Sequence, residues 1–376
     1  MIRRGGQRLR RMVRAGHLWL GLTLGGLFAL LGVSGSLLVF YPELDALLHP
    51  EISVVGAVPP DWDRAVQTLR TAYPDKLGAW RLDANGAGGA IPARYYHPPE
   101  RAGHDFRPMM VWLSGDGSRV LRRDYWGEYA ATMLYDFHYR LLLGGRGGRV
   151  LGWAGFGLLA LLASGIWAWW PRGSLAKALR FKRGAAPQRR LRDWHKLAGL
   201  LGLPVLLILT GSGVMLELPR ESDAALVRTG LLIRPMPRIT PAPACAAACG
   251  TASGAIRAAL AALPEARLAW IQTPPQGSRI YQLRLQVPGD PGRRFPHSYV
   301  WVDGASSRVI ARYDVRRSGN GGIVNAWLHP LHDGSAFGLL GRLVVAFAGL
   351  IPALLLWTGW RRWSRRTVRA AAVRAS

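Results

Sequence analysis

Histidines are the residues of this chain whose type and spacing most clearly suggest chemistry. There are nine, and four of them stand next to long apolar segments. His17 and His195 each open such a segment with the pattern His-x-x-x-Gly-Leu, whereas His138 and His332 each precede a Gly-Arg pair and a further apolar segment. Neutral imidazole is a good ligand for iron and other transition metals, so these four side chains are candidate metal ligands.

The four histidines occupy matching positions in two halves of the chain. The segment that His17 opens contains Ser34-Gly35, and the segment that His195 opens contains Thr210-Gly211. In each half a long polar stretch follows, then the second histidine and a second apolar segment. Matching residues of two parallel repeats face each other across a shared axis. We therefore predict two histidine pairs: His17 with His195, and His138 with His332.

Four apolar segments are long enough to cross a membrane. A helix needs roughly 20 apolar residues to cross about 30 Å of hydrocarbon. The segments are His17–Tyr41, Val150–Trp170, Leu197–Leu216 and Leu343–Trp360. Four such runs rarely occur as core helices of one soluble chain, and no signal-peptide cleavage site is obvious after the first. We predict an α-helical membrane protein whose four-transmembrane-helix bundle is built from two parallel repeats.

The charge distribution predicts an orientation. The chain has 49 Lys and Arg against 22 Asp and Glu, a net charge of +27. The two termini and the loop between the second and third segments hold 21 of the basic residues and one acid, Asp193. The positive-inside rule assigns that side to the cytoplasm, with both long loops outside. The charge is thus explained by topology and a lipid bilayer partner, and no nucleic-acid partner is expected.

The two long outer loops repeat one pattern of short elements. Asp61–Tyr73 and Ala255–Leu263 have the spacing of short helices. Ile280–Val287 alternates as a strand does, and Met109–Leu121 and Ser298–Ile310 each have the pattern of a β-hairpin. Each loop is therefore predicted to form a small α+β domain.

These observations divide the chain into nine parts, with the second and fourth helices expected to extend outward as far as His138 and His332. The parts are a basic cytoplasmic N-terminus (1–16), a first transmembrane helix (17–41), a first periplasmic domain (42–137), an outer histidine segment with the second helix (138–170), a basic cytoplasmic loop (171–194), a third helix (195–218), a second periplasmic domain (219–328), an outer histidine segment with the fourth helix (329–360) and a basic cytoplasmic tail (361–376).

Taken together, the motifs resemble one protein family. His17-x-Trp-x-Gly-Leu with a Val-Ser-Gly helix, Phe-His138-Tyr-Arg-Leu-Leu-Leu-Gly, Ser-Gly-Ile-Trp-Ala-Trp-Trp-Pro171, Asp-Trp-His195-Lys and Leu-His332-Asp-Gly look like the PepSY-associated transmembrane family. The outer units resemble PepSY domains, and the resemblance covers nearly the whole chain. Members of that family include haem-b membrane reductases of ferric siderophores. The resemblance therefore implies such a reductase, multi-pass in a bacterial inner membrane.

The histidine pairs independently suit haem. An iron porphyrin takes two opposed axial ligands, and facing helices of a bundle can hold it. A single histidine at a helix end is more often an interfacial residue, so the expectation depends on the matched positions. We expect two haem b groups with bis-His ligation, one held by His17 and His195 at the cytoplasmic end and one held by His138 and His332 at the outer end.

One ligand of the outer pair has an alternative. His329 lies three residues before His332 and could replace it. Pro330 between them is expected to break the helix, which disfavours both histidines as ligands on one helix face.

The sequence also limits the partners and leaves other functions open. No Cys-x-x-Cys-His motif and no glycine-rich dinucleotide fingerprint is present, so electrons must come from a quinol or a separate cytoplasmic reductase. The expected acceptor is a periplasmic ferric chelate. Cys245 and Cys249 could form a disulfide outside the membrane or have a metal or redox role, and His97, His104 and His297 are expected in surface loops.

The alternative function is a binding or regulatory protein that acts on a periplasmic peptidase without haem, because PepSY domains also resemble protease propeptides. A transporter is disfavoured, since the interiors of the spans contain no charged residue.

Overall fold

The computed structural model describes residues 2–53, 59–84, 89–103, 106–171, 173–240, 242–243 and 250–375, with side chains from Gln7 to Arg365. Cys245, Cys249 and His104 lie outside the described residues, so the expectations for them stay predictions.

The helical elements alternate long apolar helices with short ones. The helices are α1 (Ile2–Leu38), α2 (Tyr41–Leu48), α3 (Trp62–Ala72), α4 (Ala130–Arg140), α5 (Gly144–Trp169), α6 (Leu175–Leu179), α7 (Pro187–Glu217), α8 (Pro219–Arg228), α9 (Ala252–Ala262), α10 (Asn320–His332) and α11 (Gly338–Ala375). Within the described part of the chain, four segments are long and apolar enough to cross a membrane: Gln7–Leu38, Gly144–Trp169, Pro187–Glu217 and Ser335–Arg365.

The four long helices form a bundle in which α1, α5, α7 and α11 follow one another around a ring. Each packs on two neighbours, so α1 lies diagonally opposite α7. At the α1–α11 contact, a Cβ on Gly32 would stand 2.2 Å from the carbonyl oxygen of Gly349. Ser36 Oγ donates a hydrogen bond to the carbonyl of Ala346 across the same contact (2.7 Å). Small residues thus let two backbones touch inside the bundle.

The strands form one antiparallel sheet in the order β4-β3-β2-β1-β5-β6-β7-β8. The strands are β1 (Trp80–Asp83), β2 (Ile91–Tyr95), β3 (Met109–Leu113), β4 (Val120–Tyr125), β5 (Arg267–Gln272), β6 (Ile280–Gln286), β7 (Ser298–Asp303) and β8 (Val309–Tyr313). Each half of the chain supplies four consecutive strands, so the two predicted α+β units share a single sheet. The two four-stranded units join edge to edge through β1 and β5, where Leu82 lies opposite Ile271. This pairing satisfies backbone groups that two isolated edge strands would leave open.

The two faces of the sheet have different neighbours. α3 and α9 cover one face, over a core that includes Leu69, Trp80 and Ile271. The opposite face packs toward the bundle, and there Trp112 and Trp126 contact residues of α2 and α4. The sheet is therefore held directly above one end of the four helices, which we call the sheet end.

His138 and His332 lie on separate short helices, not on outward extensions of the spanning helices as expected. His138 is near the end of α4, and His332 is the last residue of α10. After α4 the chain turns through Leu141 and Leu142, whose φ angles are 54° and 59°. Pro330 was expected to break the helix, but it lies inside α10. A proline in the last turn removes only one helix hydrogen bond, so the helix continues to His332.

The close α1–α11 contact generates a first prediction. Gly32→Ala should destabilise the protein by about 1–3 kcal/mol, because the added Cβ meets a backbone carbonyl that cannot move aside. Gly26→Ala on the same helix is the matched control, since a Cβ there has no atom within 4 Å. Thermal unfolding of the detergent-solubilised variants should show a lower midpoint for Gly32→Ala only. Equal midpoints would contradict the packing described here.

Candidate functional site

The four histidines form two pairs at opposite ends of the bundle. At the end away from the sheet, the ring centres of His17 on α1 and His195 on α7 are 6.3 Å apart, with perpendicular ring planes. At the sheet end, the ring centres of His138 and His332 are 6.1 Å apart, with ring planes at 57°. We call these the far pair and the sheet pair. The structure thus brings together the same histidines that the repeat pattern matched.

Each imidazole is hydrogen-bonded through Nδ1 to a hydroxyl group of another helix. All four distances lie between 2.9 and 3.0 Å. The bonds connect His17 with Ser164, His138 with Ser34, His195 with Thr358 and His332 with Ser212.

These contacts determine which ring nitrogen carries the proton. Each hydroxyl donates its own proton to a carbonyl about one turn earlier in its helix, at 2.6–3.1 Å. With that proton engaged, the hydroxyl accepts from the imidazole, and in this arrangement Nδ1 is the donor. His195 Nδ1 also lies 3.1 Å from the carbonyl oxygen of Leu355, which can only accept. Nε2 then keeps its lone pair, as in metal-bound histidines whose other nitrogen donates to an outer partner.

A glycine follows each of the four hydroxyl residues and lies against the imidazole. A Cβ would stand 2.8 Å from the facing Cε1 at Gly35, 3.1 Å at Gly165 and Gly213, and 3.7 Å at Gly359. At the first three positions any side chain would push the ring or the helix aside. The Ser/Thr-Gly pair is therefore one unit, in which the hydroxyl orients the imidazole and the glycine makes room for it.

This geometry corrects one detail of the repeat. The sequence pattern matched Ser34-Gly35 with Thr210-Gly211, whereas the hydroxyl that binds His332 belongs to Ser212. Thr210 is buried, and its Oγ1 has no hydrogen-bond partner among the described residues. The spacing identifies the true match, because seventeen residues separate the opening histidine from the bonded serine in both halves.

A cavity of about 1250 Å³ adjoins the sheet pair. His138, His332, Gly35 and Gly213 line it on the bundle side, and residues 286–290 and 293–295 line it on the sheet side. Cavities that hold a single drug-sized ligand usually measure about 300–1,000 Å³. This space is therefore large enough for a flat macrocycle with a further ligand beside it.

The sheet pair is kept in the neutral form. Burial lowers the pKa of His138 to about 4. Burial, and then the neighbouring His138, lowers the pKa of His332 to about 3. Neutral imidazole is the form that binds metals, so near pH 7 both rings are in that form.

The other candidate histidines are engaged differently. The ring of His329 packs against Phe295, with centres 4.7 Å apart, and its Nδ1 lies 3.3 Å from Asp333 Oδ2. His97 is exposed, and His297 is half-buried with its Nδ1 3.8 Å from Asp290. Within the described ranges no group of three or more His, Cys, Asp or Glu side chains is suited to a metal ion. The neighbouring histidine rings in these ranges form the two pairs described above.

The part of the chain that contains the long helices and both histidine pairs matches a known family. The sequence profile of the PepSY-associated TM region matches residues 14–366, which include all four histidines of the two pairs. The chain belongs to this family. A PepSY-associated TM protein with four apolar helices of this length is a multi-pass membrane protein. No curated protein matches the sequence.

The hydrogen-bond network predicts the tautomer of the four paired histidines. In metal-free protein labelled with ¹⁵N-histidine, these rings should be protonated at Nδ1, because each faces a hydroxyl whose own proton is donated to a helix carbonyl. Exposed His97 is the internal control and should show both tautomers. ¹⁵N NMR with single His→Ala variants for assignment measures this. Predominant Nε2 protonation at the four sites would contradict the network.

Proposed function

We propose that this protein is a di-haem b oxidoreductase of a bacterial inner membrane that passes electrons to a periplasmic ferric siderophore or similar iron chelate. The observation that carries the proposal is the presence of two histidine pairs, one at each end of a membrane-spanning bundle. In each pair Nδ1 is engaged by a hydroxyl, so that Nε2 is free to bind iron.

The ring separations support bis-His ligation. Metal–imidazole bonds are about 2 Å long, and with about 1 Å from each nitrogen to its ring centre, two opposed ligands have centres about 6 Å apart. The observed separations of 6.3 and 6.1 Å agree with this value. His17 and His195 would hold one haem iron, and His138 and His332 the other.

The separation of the pairs supports transfer across a membrane. Seventeen residues of α1 separate His17 from Ser34, which bonds to His138, and this corresponds to about 25 Å along the helix. That length approaches the roughly 30 Å thickness of the hydrocarbon core. With the basic termini in the cytoplasm, the far pair would lie near the cytoplasmic surface and the sheet pair near the periplasmic surface.

Bound haem would supply a one-electron Fe³⁺/Fe²⁺ couple at each end of the bundle. The protein's own groups orient the imidazoles through the four hydroxyls and keep them neutral in a site that apolar helices shield from water. The donor would be a quinol or a cytoplasmic reductase. A quinol releases two electrons and two protons and so serves two ferric chelates, each of which takes one electron. Hard oxygen ligands hold the resulting Fe²⁺ less tightly, and the iron is released.

Haem stoichiometry tests the proposal. The wild-type protein from haem-replete cells should contain two haem b groups per chain by pyridine haemochrome assay. His17→Ala and His138→Ala should each lower the content to about one, because each removes one axial ligand of a different pair. His329→Ala is the control and should retain both.

A haem-free wild type would rule the proposal out. It would instead favour the alternative function, a haem-independent regulator of a periplasmic peptidase, for which the paired histidines have no required role.

The hydroxyls generate a separate prediction. Ser212→Ala should weaken haem retention at the sheet pair by about 10–100-fold, the usual effect of removing an outer partner of a ligating histidine. Thr210→Val is the matched control, since its hydroxyl is buried on the same helix without a partner among the described residues. Haem loss during graded detergent washing compares the two variants. Equal loss would show that the imidazole–hydroxyl bond has no part in binding.

A further inference from the structure

We infer that the sheet side of the cavity binds an anionic iron chelate through Arg267, Arg293 and Arg294. The inference rests on the proposed function, because it names the substrate class of the cavity that the sheet pair lines. These three arginines line the cavity, and none has a carboxylate partner among the described residues. A cavity wall with unpaired cations attracts a ligand of opposite charge.

The carboxylates of the same cavity do not neutralise these arginines. Most of them are engaged elsewhere: Glu43 by Arg342 at 2.7 Å, Glu265 by Arg316 at 3.6 Å, Asp333 by His329 at 3.3 Å and Asp290 by backbone amides. Among the lining residues, Glu217 is the carboxylate without an ion pair in the described structure, and it belongs to α7 on the bundle side. The sheet side of the cavity therefore has an excess of positive charge.

The loop that carries two of the arginines is held in a fixed shape. Asp290, which is buried, accepts hydrogen bonds from the backbone amides of Gly292 (2.9 Å) and His297 (2.6 Å). The guanidinium of Arg284 donates to the carbonyl of Pro296 at the end of the loop. A preorganised loop loses little entropy when a ligand binds.

Arg294 is oriented by aromatic rings and not by an acid. Its guanidinium lies 4.4 Å from the ring centre of Tyr41 and 5.2 Å from that of Phe295. Cation–π contacts position a guanidinium without consuming its hydrogen-bond donors. Arg294 therefore keeps donors for a carboxylate or phenolate oxygen of a chelate.

The corresponding loop of the first half provides an internal comparison. It connects β2 to β3, and its described arginines are used within the protein. Arg101 pairs with Glu128 at 2.6 Å, and Arg107 donates to the carbonyl of Trp126 at 3.0 Å. Among the described residues of these two loops, the arginines without an ion-pair or hydrogen-bond partner are Arg293 and Arg294 of the second half. A requirement of the fold would have appeared in both loops.

The arginines and the sheet pair line one continuous cavity, so a chelate held there would stand beside the electron-donating end of the protein. Its Fe³⁺ takes one electron, supplied by the quinol or cytoplasmic reductase of the proposed function, and becomes Fe²⁺. No covalent bond of the chelator forms or breaks, and no proton is required.

Calorimetry with redox-inert chelates tests the inference on the full chain in phosphatidylcholine nanodiscs. Gallium(III)–EDTA carries one negative charge and cannot be reduced under these conditions. It should bind the wild type, and it should bind Arg293→Glu/Arg294→Glu at least 10-fold more weakly, because two charges are reversed and the local charge falls by four units. A gallium(III) hydroxamate complex of charge +1 should not lose affinity. Arg119→Glu/Arg308→Glu, in two exposed hairpin turns, is the matched control and should bind the anion as the wild type does.

The outcomes separate this inference from the proposed function, because the calorimetry does not depend on haem. Arginine-dependent binding of the anion with haem content unchanged supports the inference. Loss of haem from the Arg293→Glu/Arg294→Glu variant would overturn it by showing that these arginines hold the haem propionates. Equal affinity of variant and wild type would also overturn it. If a haem-free wild type bound the gallium(III)–EDTA anion and this binding depended on the arginines, the proposed function would be refuted. The anion site would still be supported.

Discussion

The hydrogen bond between a histidine Nδ1 and a hydroxyl of another helix is the interaction on which the arrangement depends. Each of the four bonds connects two helices, and together they involve all four spanning helices and both short helices that carry the sheet pair. A buried polar group without a partner is costly in hydrocarbon, so each bond favours one relative position of its helices. The same bond sets the tautomer. The same hydrogen bonds therefore determine both the helix packing and the tautomer of the candidate ligands.

The glycine after each hydroxyl explains why the motif is a pair of residues. The hydroxyl and the following Cα present adjacent parts of one helix surface to one imidazole. A ring edge with Nδ1 against the hydroxyl necessarily brings Cε1 toward the next residue, where a Cβ would collide at 2.8–3.1 Å in three of the four sites. Serine or threonine alone could bind the nitrogen, but only glycine beside it allows the ring to approach. At Gly359 the distance is 3.7 Å, an ordinary van der Waals contact, so this site is less tight than the other three.

Much of this site could be predicted from the sequence, and the failures have physical causes. The apolar runs predicted the membrane helices, because length and polarity suffice for that, and the matching positions in the two repeats predicted the histidine pairs. Choosing Thr210 instead of Ser212 was wrong, because both are small hydroxyl residues before glycine. The distance of seventeen positions from the opening histidine, equal in both halves, distinguishes them. The separate helix that ends beyond His138 depends on two leucines with positive φ, a conformation that leucine rarely adopts. The joining of two sheets through β1 and β5 depends on strands distant in the sequence, which no local pattern reveals.

The two halves of the molecule match at the histidines and differ around the cavity. On one side Gly32 and Gly349 bring α1 and α11 into backbone contact. At the matching position of the other half, Thr210 replaces Gly32, and a Cβ on the facing Gly155 would meet Val214. The loops beside the sheet also differ. Arg101 and Arg107 are engaged within the protein, whereas Arg293 and Arg294 have no carboxylate partner among the described residues. Under the function proposed above, haem binding alone would not require the surroundings of the two pairs to differ. A chelate bound on the second-half side of the cavity would account for the asymmetry there.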